Sequence, residues 1–400
     1  MTPSKNIKAL LRICPVCVSK EGEILHTQKF ILPENSPLPS EYDIVACVKC
    51  GFTYADTAVG QSGYDNYYTL CSKYEDKEIS TGGGYNSYDL QRMEETANDI
   101  ASFCENRQAK IIDIGCANGG LLKALKAKGY NNLTGLDPSK KCMEDVLNAG
   151  VDCKQGSIFE VNKKFLGQKF DFIILSHVAE HIYDLTSAFQ ACYQLLEKNG
   201  RLYVEVPNAA FYHDFYVVPY YYFDSEHINH FDENSLSNLG LSNKFSKTDA
   251  RHKSIFVSDG QQYPALFVIF EKASNTQSNY TYSREAKESI CKYIALSVAN
   301  SKNEQLKEIV NSQEEIYVFG AGNFTLRLLA TTDLNRCNIK AFIDNDSNKQ
   351  GHILENKPIV SPEVLLDFNG TLIICSALFA DDIAKQAKSI NSKLNMIILK

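Results

Sequence analysis

The sequence predicts an α/β protein: two regions of alternating strand and helix, preceded by a cysteine-rich segment. Three observations carry that expectation. Apolar runs in "AKIIDIGCANGG" and "EEIYVFGAGN" break into glycine turns and then into helix-like periodicity. Each is followed by a second apolar run ending on a carboxylate, "NLTGLD" and "IKAFID". Two CxxC pairs, in "CPVC" and "CVKCGF", stand ahead of both.

Four hundred residues exceed one ordinary core and suggest two or three domains. Residues 1–85 are turn-rich, with cysteines and tyrosines, and read as a zinc-binding, tyrosine-rich domain. Residues 86–272 alternate strand and helix, and residues 315–400 do so again. Between them, within 273–314, "REAKESICKYIALSVANSKNEQLKEIV" repeats apolar residues at helical spacing and predicts one long connecting helix. The net charge of −7 lacks the basic excess that broad nucleic-acid binding requires. No apolar run approaches the ~20 residues of a membrane span, and the start shows no signal-peptide pattern. The expectation is a soluble, cytoplasmic protein acting on a small molecule. Thirteen cysteines are an odd number, and nine occur singly, which argues for reduced apolar fillers rather than a disulfide framework.

Cys14, Cys17, Cys47 and Cys50 have the spacing C-x2-C-x29-C-x2-C. Two intervening residues let both sulfurs of a pair reach one ion through a tight turn, and Gly51 suits the backbone reversal. Four thiolates form a closed tetrahedral shell, so a structural Zn2+ is expected.

In the first α/β region a strand carries Asp113 and the turn Gly115-Cys-Ala-Asn118-Gly119-Gly120. A helix with Leu121, Leu122 and Leu125 follows, and the next strand ends at Asp137. Glycines admit close approach of a ligand, and a carboxylate at that strand end accepts from ribose hydroxyls. "VDCKQGSIFE", "FDFIILSHVAEHI" and "GRLYVEVPN" supply further strands. The turn reads GxxxGG after Asp-Ile, and it resembles the first motif of class I S-adenosylmethionine-dependent methyltransferases. The resemblance covers roughly 105–215 and implies a Rossmann-like core. It implies that Gly115 and Gly119 line the methionine end, with Asn118 in the same turn, and that Asp137 holds the ribose. Ser157 and Ile158 would lie by the adenine, Ser176 and His177 would border the pocket, and Asp113 would order the loop. A nicotinamide-dinucleotide unit is the alternative for this region. His177-Val-Ala-Glu180-His181 also matches H-x-x-E-H, a zinc-hydrolase pattern. That pattern needs both histidines on one helix face, whereas His177 directly follows a strand and is expected at a turn.

The order of cysteine knot, tyrosine-rich stretch, methyltransferase core and second α/β domain is similar to that of zinc-containing sugar C-methyltransferases. Those enzymes act on the carbon beside a ketone of a nucleotide-diphosphate sugar and have a C-terminal Rossmann-like domain. Their Tyr-x-Glu-His-x-x-aromatic-Phe segment is matched here by "YFDSEHINHF", giving Glu226, His227 and Phe231. Asp224 stands in the tyrosine's place and His230 in an aromatic's. The resemblance implies His227 as general base, assisted by Glu226. Asp224 and His230 join the candidate catalytic group, with Tyr64, Tyr67 and Tyr68 of "YDNYYTLCSKYED". The chemistry agrees with these residue types. Carbon becomes nucleophilic only after loss of the proton beside the carbonyl, and an imidazole with an ordinary pKa near ~6.5 can take it near neutral pH. Phenols can donate to an enolate oxygen. An Asp–His arrangement would equally deprotonate a hydroxyl, giving O-methylation. In the C-terminal region Thr325 replaces the third glycine of GxGxxG. An NAD-dependent sugar oxidoreductase using that domain, and a non-catalytic binding protein, remain as alternatives.

Overall fold

A computed structural model describes residues 6–34, 36–70, 86–258, 260–273, 280–301 and 304–400. The last part of the tyrosine-rich stretch, from Cys71 on, lies outside the described residues. The chain divides into two compact units, 1–25 with 43–212 and 226–290, and 26–42 with 213–225 and 291–400.

The chain begins with strands β1 (Ile7–Ala9), β2 (Glu21–Lys29), β3 (Glu41–Cys47) and β4 (Thr53–Asp56), then helix α1 (Gln61–Leu70). Helix α2 (Ser87–Phe103) leads into β5 (Ile111–Ile114), α3 (Gly120–Ala127), β6 (Leu133–Asp137), α4 (Lys140–Asn148) and β7 (Asp152–Gln155). The alternation continues through α5 (Val161–Lys164), β8 (Phe170–Ser176), α6 (Leu185–Leu195) and β9 (Leu196–Pro207). Next come β10 (Asn229–His230), α7 (Glu233–Ser242) and the hairpin β11 (Phe245–Ser258) and β12 (Gln261–Lys272). The central sheet has the order β11-β12-β9-β8-β5-β6-β7. Its strands β9 to β7 run parallel, and β12 and β11 are antiparallel.

Strand alternation sorts this sheet into two faces. Ile112, Ile114, Leu136, Ile173, Leu175, Val204 and Val268 belong to one core. Ile111, Leu133, Phe172, Ile174, Tyr203 and Phe267 belong to the other. The first core also contains Cys14, Cys17, Cys47, Cys50, Phe52 and Tyr54. The cysteine segment therefore shares a core with the sheet, and a boundary at 85/86 cuts through no separate domain. Strand β4 pairs with β10, Tyr54 opposite Asn229, which reinforces that union.

The remaining elements are α8 (Glu285–Asn300), α9 (Glu304–Ser312), β13 (Glu315–Phe319), α10 (Asn323–Thr331), β14 (Asn338–Ile343), β15 (Ile353–Leu354), β16 (Lys357–Val360), β17 (Thr371–Cys375), α11 (Ala380–Ile390) and β18 (Asn395–Leu399). Two helices, not one, occupy the polar stretch; Asn300 and Ser301, where α8 stops, are poor helix formers. The second unit's sheet has the order β15-β16-β14-β13-β17-β18. Its glycine turn repeats a device of the first unit. Gly320 N–H donates to Ile343 O (2.7 Å) and Ala321 N–H to Asp344 Oδ2 (2.8 Å). Here Lys349 Nζ also donates to Asp344 Oδ2 (3.1 Å), a cationic partner in addition to the backbone N–H.

Candidate active site

Parallel sheets of this kind bind ligands at the carboxyl ends of their strands. Asp113, Gly115, Asn118, Gly119, Asp137, Ser157, Ser176 and His177 all fall at those ends or just after them. Gly115 N–H donates to Leu136 O (2.7 Å), and Gly119 N–H to Cys116 O (2.9 Å). Gly115 and Gly119 have φ of +77° and +75°. A Cβ on Gly115 would come within 2.6 Å of Val178 Cγ2, and one on Gly119 within 2.8 Å of Val146 Cγ2. Both glycines are thus required by backbone shape and by packing as well as by any ligand.

The two carboxylates differ in their surroundings. Asp137, not Asp113, orders the loop: its Oδ2 accepts from Ala117 N–H (2.9 Å) and its Oδ1 from Ser139 N–H (2.9 Å). Asp113 is 3% exposed and, among the described residues, its carboxyl accepts no hydrogen bond. Burial, and then the charge of Asp137, push Asp113 up to about 7. Gly156 N–H reaches Asp137 O (2.8 Å), which brings Ser157 and the buried Ile158 beside this loop system.

The four cysteines are buried and their sulfurs lie within 4.8 Å of one another. Cys14 Sγ is 3.6 Å from Cys50 Sγ, and Cys17 Sγ 3.4 Å from Cys47 Sγ. Ligands ~2.3 Å from a tetrahedral ion sit roughly 3.8 Å apart, so the donor set and spacing fit a thiolate-bound metal. The two knuckles are alike. Val18 N–H donates to Cys14 O and Gly51 N–H to Cys47 O, both at 2.9 Å. Their φ values are +54° and +78°. A Cβ on Gly51 would lie 2.1 Å from Ser283 O, so only the first knuckle has room for a side chain.

The segments 177–182 and 226–230 are bolted together. Ile228 N–H donates to Glu180 O (2.9 Å), and Asn229 Nδ2 donates to the carbonyls of Ala179 (2.9 Å) and Ile182 (2.8 Å). The buried Arg12 adds a clasp: its guanidinium donates to Ile182 O (3.3 Å), Tyr183 O (2.5 Å) and Ile228 O (3.3 Å). Helix α1 completes the group. Tyr64, Tyr67 and Tyr68, at i, i+3 and i+4, share one helix face. Gln61 Oε1 accepts from the N–H groups of Tyr183 and Asp184 (3.0 Å each).

Tyr67 Oη donates to Glu226 Oε1 (2.9 Å). Tyr68 Oη lies 2.9 Å from His181 Nδ1 and 3.5 Å from Glu226 Oε2. His181 Nδ1 is also 3.2 Å from the backbone O of Glu226. A carbonyl only accepts, so the contact with Glu226 O calls for a hydrogen on His181 Nδ1. The His181 and His227 rings meet edge to face, with centroids 4.7 Å apart. Donor atoms of Glu180, His181 and His227 lie within 4.8 Å of one another. Tyr64 is fully buried and burial raises its pKa, so it packs beneath this group.

Two members of "YFDSEHINHF" go elsewhere. Asp224 belongs to the second unit, where its carboxylate accepts from Asn323 Nδ2 (2.6 Å). His230 is 0% exposed in β10, 3.5 Å from Tyr212 Oη. Burial, then His227, lower its pKa to about 3, so it is neutral near pH 7. The zinc-hydrolase pattern also fails: residues 179–181 form a single 3-10 turn, and His177, with φ +54°, precedes it.

Sequence reasoning missed His181 as a member of this group, and it missed Glu205. Glu205 is fully buried in β9 and accepts from Tyr203 Oη and from Lys253 Nζ (2.8 Å). His177 Nε2 is 3.2 Å from Glu205, and His177 Nδ1 is 3.2 Å from Glu180. Lys253 also pairs with Asp99 (2.8 Å). Burial opposes every charge in this chain, yet the opposite partners win: Glu205 and Glu180 are lowered, Lys253 and His177 raised. The signal was a lone carboxylate inside the apolar strand "LYVEV". Lys253→Met should destabilise the protein by about 3 kcal/mol, because it removes one of the two cations paired with the buried Glu205. Urea unfolding measures this, and a change under about 1 kcal/mol would contradict the role.

Residues 85–246 match the family described as a methyltransferase domain, and residues 312–398 match the family described as C2185-like, N-terminal. The mitochondrial ubiquinone biosynthesis O-methyltransferase of Bos taurus is 31% identical over 108 residues, 25% of this chain and 29% of that protein. The ubiquinone biosynthesis O-methyltransferase of Histophilus somni (strain 2336) is 30% identical over 131 residues, 30% of this chain and 52% of that protein. The matches thus span about half or less of these relatives. Among solved structures, magnesium protoporphyrin IX methyltransferase from Synechocystis PCC 6803 aligns with a TM-score of 0.40 at 14% identity, over 53% of this chain and 99% of that one. The central sheet with its glycine turn is the α/β Rossmann-like core of a class I S-adenosylmethionine-dependent methyltransferase domain.

Proposed function

We propose that the chain methylates a nucleotide-linked keto sugar, with S-adenosylmethionine as donor and His227 as general base. One observation carries the reading: the bolting of 226–230 onto 179–182 gathers Glu226, His227, His181, Tyr67 and Tyr68 into one acid–base group. Asp113, Gly115, Asn118, Gly119, Asp137, Ser157, Ile158, Ser176 and His177 would hold the donor, which when bound supplies an electrophilic methyl group. The glycine cradle and the two carboxylates suit a ligand with a positive end and a ribose diol. His227 takes the proton from the carbon beside the carbonyl, and Glu226 stays paired with Tyr67. Tyr68, whose hydroxyl lies between His181 and Glu226, would turn to donate to the enolate oxygen. Cys14, Cys17, Cys47 and Cys50 hold a structural zinc, since four thiolates leave no position for substrate.

O-methylation is the second reading, favoured by the similarity to ubiquinone biosynthesis O-methyltransferases. Mass spectrometry of assays with a panel of nucleotide sugars and labelled methyl donor tests the reaction. Failure of every sugar to gain label, while S-adenosylhomocysteine still binds, would refute the sugar substrate. Solvent deuterium entering the α-position of a keto sugar in the absence of methyl donor supports carbon transfer; its absence on a sugar that is methylated supports oxygen transfer.

Asp113 adds a pH dependence. A carboxyl raised to about 7 is largely protonated at pH 6, and a cationic ligand favours its charged form. S-adenosylmethionine affinity should therefore fall by up to about tenfold per pH unit below 7 and level off above it. In Asp113→Asn the dependence should flatten. An unchanged slope in the variant would remove Asp113 from the cation's surroundings.

A further inference from the structure

The second unit contains a buried cation that its own fold leaves largely uncompensated. Arg327, in α10, is 4% exposed. Its Nη1 reaches Phe223 O at 3.5 Å, a long contact, and its Nε has no acceptor. Among the described residues the guanidinium forms no ion pair. Asp224 attracts it only from beyond contact distance, and that carboxylate is bonded to Asn323 Nδ2. The Phe324 ring faces the guanidinium at 5.7 Å, but burying five N–H donors beside that ring and one weak acceptor is costly unless something else completes them.

The geometry shows where completion would come from. Arg327 lines a cavity of about 40 Å3 together with Tyr220, Asn300, Ser301, Thr331 and Lys400, all of the second unit. That is several times the ~10–15 Å3 a single water requires, and far short of a nucleotide. Lys400, paired with Asp381 at 3.3 Å and half-exposed, brings a second positive charge to the wall. Ser301 and Thr331 hydroxyls now donate to the carbonyls of Ser297 (2.5 Å) and Arg327 (2.8 Å), and both are rotors that can turn toward a ligand. In the glycine turn of this unit, by contrast, the carboxylate of Asp344 already has a cationic partner in Lys349.

We propose that this cavity is an oxyanion site for one phosphate-sized group, read by the Arg327 fork with Lys400 in support. Its anion is either free phosphate or the phosphate of a phosphorylated substrate. The site stands on the second unit's geometry alone and does not depend on the methyl-transfer reading. Isothermal titration of the full chain with inorganic phosphate should show one site. Arg327→Met should weaken it at least tenfold, Arg327→Lys less, and Lys400→Gln a few-fold, with S-adenosylhomocysteine binding unchanged as a check of folding. Lys400 is at the surface, so its variant carries the test if Arg327→Met fails to fold. Uridine diphosphate that displaces phosphate would support a substrate handle; phosphate that stays bound beside it would support a free-anion site. No phosphate binding by the wild type, or equal binding by the variants, would overturn the proposal.

Discussion

Replacing His227 with glutamine is expected to cut turnover at least a hundredfold while S-adenosylhomocysteine affinity stays within about twofold. Glutamine keeps hydrogen-bonding capacity but cannot accept a proton, and positioned base catalysis commonly supplies ~10²–10⁴-fold. Affinity should survive because the cradle is built on the ends of β5 and β6, whose loops are held by Asp137 and backbone carbonyls rather than by His227. Steady-state kinetics with a responding sugar, beside calorimetric titration, reads both quantities. The competing base is His181, whose ring meets that of His227 edge to face. Should His227→Gln retain full turnover and His181→Gln lose it, the proton would belong to His181. Tyr67→Phe, which removes one donor to Glu226, should cost roughly tenfold or less.

Cys47→Ser should lose the metal and unfold much of the first unit. Structural zinc supplies on the order of 10–16 kcal/mol of apparent folding free energy in small metal-bound segments, and loss of one thiolate opens the shell. The damage should reach beyond the knuckle, because Cys47, Phe52 and Tyr54 are part of the core beneath the central sheet. It should also reach the acid–base group. Arg12, two residues before Cys14, clasps the carbonyls of Ile182, Tyr183 and Ile228. The expected result is near one zinc per chain in the wild type, a small fraction of that in the variant, a melting temperature lower by at least about 10 °C, and loss of turnover in proportion. Equal zinc content and equal melting would disprove the structural role.

Most of the fold was legible because its signals are local. A glycine turn needs positive φ at Gly115 and Gly119, and only a few residue types allow it. Strand alternation at 111–114 and 202–206 sorts side chains onto two faces without knowledge of what covers them. CxxC spacing fixes which sulfurs can share one ion. Less legible was the division of labour within the site. Asp113 and Asp137 are both strand-end carboxylates in the sequence, and only burial and hydrogen bonds separate the loop's anchor from the perturbed acid. Glu205 was visible as a carboxylate in an apolar strand, but its partners Lys253 and Thr96 lie 48 and 109 positions away.

By itself, then, the sequence determined the α/β core, the cysteine quartet and the residue types fit for proton transfer. It did so because turns, strand period and ligand spacing depend on neighbours a few positions apart. Which of those residues meet was decided by the tertiary structure. Glu226 and His227 join His181 through a backbone bond that spans 48 positions, from Ile228 to Glu180, while Asp224, two residues before Glu226, is held by Asn323 in the other unit. Adjacency along a chain sets reach, but a site is set by the long-range hydrogen bonds and shared core that decide which side each residue takes.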